Sequence, residues 1–307
     1  MRLDDFDPNI DVGDQRGRGG SGGGFGGGGG MLLGLLPFVF SRFGCGGVAV
    51  LLAIFVFFGG GLSLLGGGSI GGSGSAPTQI GRSAPQAGTD ATTSCTVDAE
   101  SRAACNAFSS ANKTWAALFQ QAGQRYRAPS LQFYGGEGQS GCGAAQAAMG
   151  PFYCPSDSGI YLDTSFFAEL AQRFGAKGDF AQDYVIAHEF GHHIQNLLGT
   201  SDRVQRQMAQ SSRTEGNRLS VRLELQADCF AGVWAAANRA RMEPGDLEEG
   251  LTAAQAIGDD TLQKETQGRV VPDSFTHGTS AERMRWLKRG IDSGDPAQCD
   301  TFTGAID

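Results

Sequence analysis

The sequence predicts an α+β domain, mostly helical with a small β-sheet, preceded by one transmembrane helix. Three observations lead there. Residues 95–307 have ordinary globular composition, and about 210 residues suffice for a sizeable core. Within them, stretches with apolar residues at helical spacing alternate with only two short strand-like runs. Ahead of them, residues 43–65 are 23 consecutive uncharged positions, against the roughly 20 apolar residues that span a bilayer's hydrocarbon core.

Residues 1–30 are polar and then Gly-rich, and 25 of the chain's 49 glycines fall in the first 75 positions. With little to bury, residues 1–42 read as a disordered Gly-rich tail. Residues 31–65 carry one charge, Arg42. A cleavable signal peptide begins closer to the N-terminus and has a shorter apolar core, so residues 43–65 are expected to be a single transmembrane helix. Arg16, Arg18 and Arg42 precede it, and no Lys or Arg follows until Arg82. The positive-inside rule then puts the tail in the cytoplasm and the domain outside. Residues 66–94, rich in Gly, Ser, Ala, Thr and Pro, read as a flexible linker.

Six of the seven cysteines lie in residues 95–307, and an even count beyond a membrane anchor suggests disulfides in an oxidising compartment. Proximity suggests Cys95 with Cys105 and Cys142 with Cys154, leaving Cys229 with Cys299. No Cys-x-x-Cys occurs, which weakens a metal reading of these residues. The net charge of -8 and the lack of any Lys/Arg run argue against nucleic acid as a partner.

Within the domain, residues 101–125 have helical periodicity. Residues 130–134 and 159–163 look like short strands bounded by turn residues, with an irregular loop at 150–155 between them. Residues 165–174 and 180–198 read as helices, the second ended by Gly199, and residues 215–241 as a long helix. Thr279-Ser280-Ala281-Glu282 resembles a capping box that opens a final helix, expected to stop at Gly290.

The helix over 180–198 carries the chemistry. His188-Glu189-Phe190-Gly191-His192 is a His-Glu-x-x-His pattern inside an apolar run, and three of the chain's four histidines fall within six residues. Residues four apart lie on one helix face, so His188 and His192 can both reach one Zn²⁺. Glu189, about 100° around the helix, can reach a water there and take its proton. His193 points about 100° away from His192 and reads better as a packed or supporting residue than as a ligand. A catalytic zinc takes three protein ligands and keeps one open position. A third histidine further along the same segment fails, because Gln195 and Leu198 occupy the positions it needs. Glu224-Leu225-Gln226-Ala227-Asp228 fits instead. Glu224 and Asp228 share a helix face; Glu224 would bind zinc, and Asp228 would accept a hydrogen bond from the far nitrogen of a ligand histidine. His277, just before the capping box, has two readings: a donor to the oxyanion that forms on an attacked carbonyl, or a loop histidine with no role.

These segments resemble the bacterial neutral zinc metallopeptidases. His188-Glu189-Phe190-Gly191-His192-His193 and the run from Glu224 to Trp234 carry the resemblance; residues 150–155, 160–163 and His277-Gly278 fit it. It implies a zincin-like fold with a gluzincin arrangement of two histidines and a glutamate. The expected protein is a membrane-anchored zinc endopeptidase of the bacterial inner membrane, with a periplasmic domain and a peptide or protein substrate. The alternative is an anchored scaffold whose zinc is structural, but such a site is normally closed by four protein ligands and has no use for Glu189.

Overall fold

The computed structural model describes residues 1–4, 6–17 and 90–306. The expected membrane span at 43–65 and most of the linker lie outside them. Among the described residues, no helix is long and apolar enough to cross a membrane.

The first folded element corrects the expectation of a disordered tail. Strand β1 (Val12–Asp14) pairs in parallel with β2 (Ser130–Phe133), Val12 opposite Leu131 and Asp14 opposite Phe133. Leu3, Ile10 and Val12 are buried in the main core. Arg16 is held by Asp14, by the Ser101 hydroxyl and by the Ser94 carbonyl, and its guanidinium lies over the Phe133 ring. The signal was weak because it is short: three or four apolar side chains among acidic residues gain a partner only from a strand more than a hundred residues away. The linker also ends sooner than expected, since α1 (Ala91–Cys95) is helical, capped by Asp90.

Helix α2 (Ala99–Gln121) starts on Asp98, whose carboxylate accepts the Ser101 N–H, and buries Ala104, Phe108, Ala111, Trp115 and Phe119 at helical spacing. The sheet runs β1, β2, β6 (Gly159–Leu162) and β5 (Phe152–Cys154) in that order. Its centre is β2 beside β6 (Gly159–Leu162), as expected, in parallel register. A hairpin of β3 (Glu137–Ser140) and β4 (Gly143–Gln146) stands apart from it. The expected loop at 150–155 instead contains β5 (Phe152–Cys154), antiparallel to β6 at the sheet edge. Pro151 and Pro155 flank it and suggest a loop, but an edge strand of three residues tolerates flanking prolines. Phe152 stacks on Tyr161 across the pair, with ring centroids 5.0 Å apart.

The remaining helices are α3 (Ser165–Arg173), α4 (Asp179–Leu197), α5 (Thr200–Met208), α6 (Arg213–Ala237), α7 (Asp246–Ala256), α8 (Asp259–Gln267) and α9 (Ser280–Ser293). Helices α4, α6 and α9 form the centre, and small residues set their spacing. A Cβ on Gly191 of α4 would lie 2.8 Å from the Ala227 carbonyl oxygen of α6. A Cβ on Gly290 of α9 would lie 2.0 Å from the Cys229 carbonyl oxygen of α6. Gly290 is therefore a packing residue inside α9 and not its end; the helix runs on to a left-handed Gly294. Both halves of the expected capping box are present at Thr279 and Glu282. The long helix ends at Ala237, with a 3-10 turn over Arg239–Arg241 after it. All three suggested disulfides are formed: Cys95–Cys105, Cys142–Cys154 and Cys229–Cys299.

Candidate metal centre

The Gly191–Ala227 contact brings two helix backbones together between the two histidines of α4 and the two carboxylates of α6. Across it, His188 Nε2 is 3.2 Å from Glu224 Oε2, and His192 Nε2 is 3.5 Å from Glu224 Oε1. One ligand atom from each of the three residues lies within 4.8 Å of the others. Among the described residues no fourth His, Cys, Asp or Glu joins this group.

The outer nitrogens of both imidazoles are taken. His188 Nδ1 donates to Asp228 Oδ1 at 2.8 Å, the arrangement expected from the sequence. His192 Nδ1 donates to Gln195 Oε1 at 2.9 Å. The Gln195 amide cannot turn over freely, because its nitrogen donates to the Leu223 carbonyl. Each imidazole is thus held with Nδ1–H outward and Nε2 beside the Glu224 carboxylate, where loss of the Nε2 proton leaves a lone pair for a metal. Two imidazoles and one carboxylate are a donor set that catalytic zinc accepts, so the residues fit the metal that the motif implies.

Charge in this cluster is strongly coupled. Burial pushes the His188 pKa down, but Asp228 and Glu224 outweigh it and raise it to about 9. Burial pushes Asp228 up, and the Arg283 and His188 charges beside it hold it at about 2. Burial likewise opposes ionisation of Glu224, yet His192 and His188 keep it well below the usual carboxylate range. A cation placed among these groups would displace the proton on the histidine pair.

Glu189 is 7 % exposed and lines the same cavity of about 610 Å³ as the three converging residues. His277 lines it as well. Asp259, at the start of α8, holds the His277 loop: Oδ2 accepts the backbone N–H groups of Thr276 and His277, and Oδ1 lies 3.2 Å from His277 Nδ1. Among the described residues none hydrogen-bonds the other ring nitrogen, Nε2. The walls away from the cluster are mixed: Met149, Phe152, Phe166, Val185 and Leu262 line it together with Glu169, Arg173, Gln205 and Thr266. Strand β5 forms one wall and touches α4 through Tyr153.

His193 is a packed residue, as expected. Its Nε2–H donates to the Arg127 carbonyl at 2.7 Å, and its Nδ1 accepts from the Tyr153 hydroxyl. Burial lowers its pKa to about 4, so the ring is neutral and fully partnered.

Sequence reasoning missed Gln195, Asp259, Tyr184 and Arg283. For Gln195, its spacing of three from His192 on one helix face is the signal that points to it. Asp259 and Arg283 carry no local signal, because each meets the site through a different helix.

Two uncharacterized proteins are among the chain's relatives. Uncharacterized protein YpfJ of Escherichia coli K12 is 57% identical over 195 residues, 63% of this chain and 68% of that protein. Uncharacterized protein Rv2575 of Mycobacterium tuberculosis H37Rv is 45% identical over 193 residues, 59% of this chain and 64% of that protein. No solved structure matches. The family model described as "Putative neutral zinc metallopeptidase" matches residues 1–302, β1 and the metal cluster alike, and the chain belongs to that family.

Proposed function

We propose that the protein is a zinc-dependent endopeptidase, with His188, His192 and Glu224 holding the metal and Glu189 acting as general base. The observation that carries this reading is the convergence of three ligand groups, with no fourth among the described residues, on a cavity that Glu189 also lines. When bound, zinc supplies Lewis acidity that polarises a peptide carbonyl and makes water more acidic. Glu189 follows the first ligand directly, so it lies beside the metal without having to bind it. It accepts the proton of the attacking water and passes it to the leaving amine. His277, oriented by Asp259, donates from Nε2 to the oxyanion. Asp228 and Gln195 keep His188 and His192 in the tautomer that binding requires. The apolar part of the wall, around Met149, Phe152 and Phe166, would accept apolar substrate side chains.

The same reading places the domain outside the cytoplasm, which its three disulfides support. Residues 1–17 belong to that body and so to that compartment. An Asp4→Cys label site in a Cys45→Ser background tests this: a membrane-impermeant maleimide applied outside the cytoplasmic membrane should reach residue 4, and protection there would overturn the shared compartment.

For the chemistry, the purified protein is incubated with a peptide library with and without a chelator. Cleavage should require one zinc per chain. Glu189→Gln keeps the shape of the side chain but cannot take a proton; it should retain zinc and lose about 10²–10⁴-fold in cleavage. Wild-type cleavage by zinc-loaded Glu189→Gln would rule out this mechanism. A protein that binds zinc and cuts no library peptide would favour the scaffold.

A further inference from the structure

We propose that Arg283, on α9, is a positioning residue of the metal centre that aims Asp228 at His188; this rests on the zinc reading above. Arg283 is 1 % exposed and Asp228 is fully buried. The guanidinium grips the carboxylate side-on: Nε donates to Oδ2 and Nη2 to Oδ1, both at 2.8 Å. Nη1 donates to the Ile257 carbonyl at 3.2 Å, which anchors the fork to the end of α7. Asp228 Oδ1 also accepts from the Tyr184 hydroxyl at 2.6 Å and from His188 Nδ1 at 2.8 Å. The guanidinium touches the imidazole itself, with Nη2 3.2 Å from His188 Nδ1.

A buried ion pair is a poor device for stability alone. Taking both charges out of water costs several kcal/mol per ion, and apolar residues of similar volume usually do as well or better. What the pair supplies here is geometry. A guanidinium fork defines the plane of the carboxylate it grips, whereas a lysine ammonium is a point charge that does not. With that plane set, Oδ1 has one direction left for His188, and the ring is held with Nε2 toward Glu224.

The fold is built to bring the fork there. Arg283, Leu287 and Gly290 lie on one face of α9, four and three residues apart. A Cβ on Gly232 of α6 would lie 2.2 Å from the Leu287 carbonyl oxygen, and a Cβ on Gly290 would lie 2.8 Å from Gly232 Cα. This glycine contact lets the two backbones approach closely, and the capping box at Thr279–Glu282 starts α9 at Ser280, three residues before Arg283.

The test measures zinc affinity by chelator competition on the full chain, with thermal unfolding of the metal-free protein alongside and the visible spectrum of the cobalt-substituted protein as a report on ligand geometry. Arg283→Lys keeps the charge and loses the fork. It should fold, bind zinc about tenfold more weakly and change the cobalt spectrum; Arg283→Met should lose about 10–100-fold, the range for residues that support metal ligands. If Arg283→Met does not fold, the neutral pair Asp228→Asn/Arg283→Met removes the buried charges together, and it should fold yet still bind zinc more weakly than wild type. Folded variants with wild-type zinc affinity and an unchanged cobalt spectrum overturn the proposal, even where their melting temperature is lower. Absence of zinc binding by the wild type would instead refute the metal reading on which the proposal rests.

Discussion

Gly191→Ala is the most direct probe of how the fold makes the site. The added methyl would sit 2.8 Å from the Ala227 carbonyl oxygen and 2.9 Å from Ala227 Cα. Both are backbone atoms of α6, so no side-chain rotation can relieve the overlap. Ordinary contact begins near 3.4 Å, so α4 and α6 must separate by about 0.6 Å in a close-packed core. Metal–ligand distances tolerate about ±0.2 Å. Moving the histidine pair away from Glu224 by more than that should cost zinc affinity about 10–100-fold. Stability should change less. Alanine gains about 1 kcal/mol of helix propensity over glycine, while overpacking costs about 1–3 kcal/mol, for a net loss of about 0–2 kcal/mol. A domain of this size then melts about 2–4 °C lower per kcal/mol. Gly216→Ala is the control: it lies in α6, its added Cβ meets nothing within 4 Å, and it should raise the melting temperature or leave it unchanged, with zinc affinity intact. The measurements are chelator competition for zinc and calorimetry of the metal-free protein. A Gly191→Ala protein with wild-type zinc affinity and a melting temperature like that of the control would refute the claim that this contact sets the ligand spacing.

Other substitutions separate the roles of the remaining residues. His277→Ala should spare zinc and lower kcat by about 10²–10³-fold with a smaller effect on KM, as expected of a donor that works in the transition state; Asp259→Asn should show the same pattern more weakly in steady-state kinetics. His193→Ala leaves the Arg127 carbonyl without its donor and the Tyr153 hydroxyl without its acceptor, and it should destabilise the protein by about 1–3 kcal/mol in denaturant titration while zinc content stays at one per chain. Val12→Asp buries a charge where β1 meets Leu131, and it should cost more than about 3 kcal/mol; a stability unchanged from wild type would mean that β1 does not hold to the sheet.

What the sequence determined by itself is what short-range geometry determines. The spacing of His188 and His192, the adjacency of Glu189 and the four-residue step from Glu224 to Asp228 each place side chains on a helix face once the helix exists. The capping box at Thr279, the packed character of His193 and the two short disulfide loops were legible for the same reason. The tertiary structure decided what depends on partners distant in the chain. Val12 becomes a strand only against Leu131, and Phe152 only against Tyr161. Gly290, a plausible helix stop by composition, is held inside α9 because the backbone of α6 leaves no room there for a side chain. Arg283 and Asp259 reach the site from α9 and α8, elements with no sequence relation to the His-Glu-x-x-His helix. A period of 3.6 residues announces which face of a helix is buried, but not which helix will cover it; that choice is made by packing, where glycines that leave no room for a Cβ select one neighbour and exclude the rest.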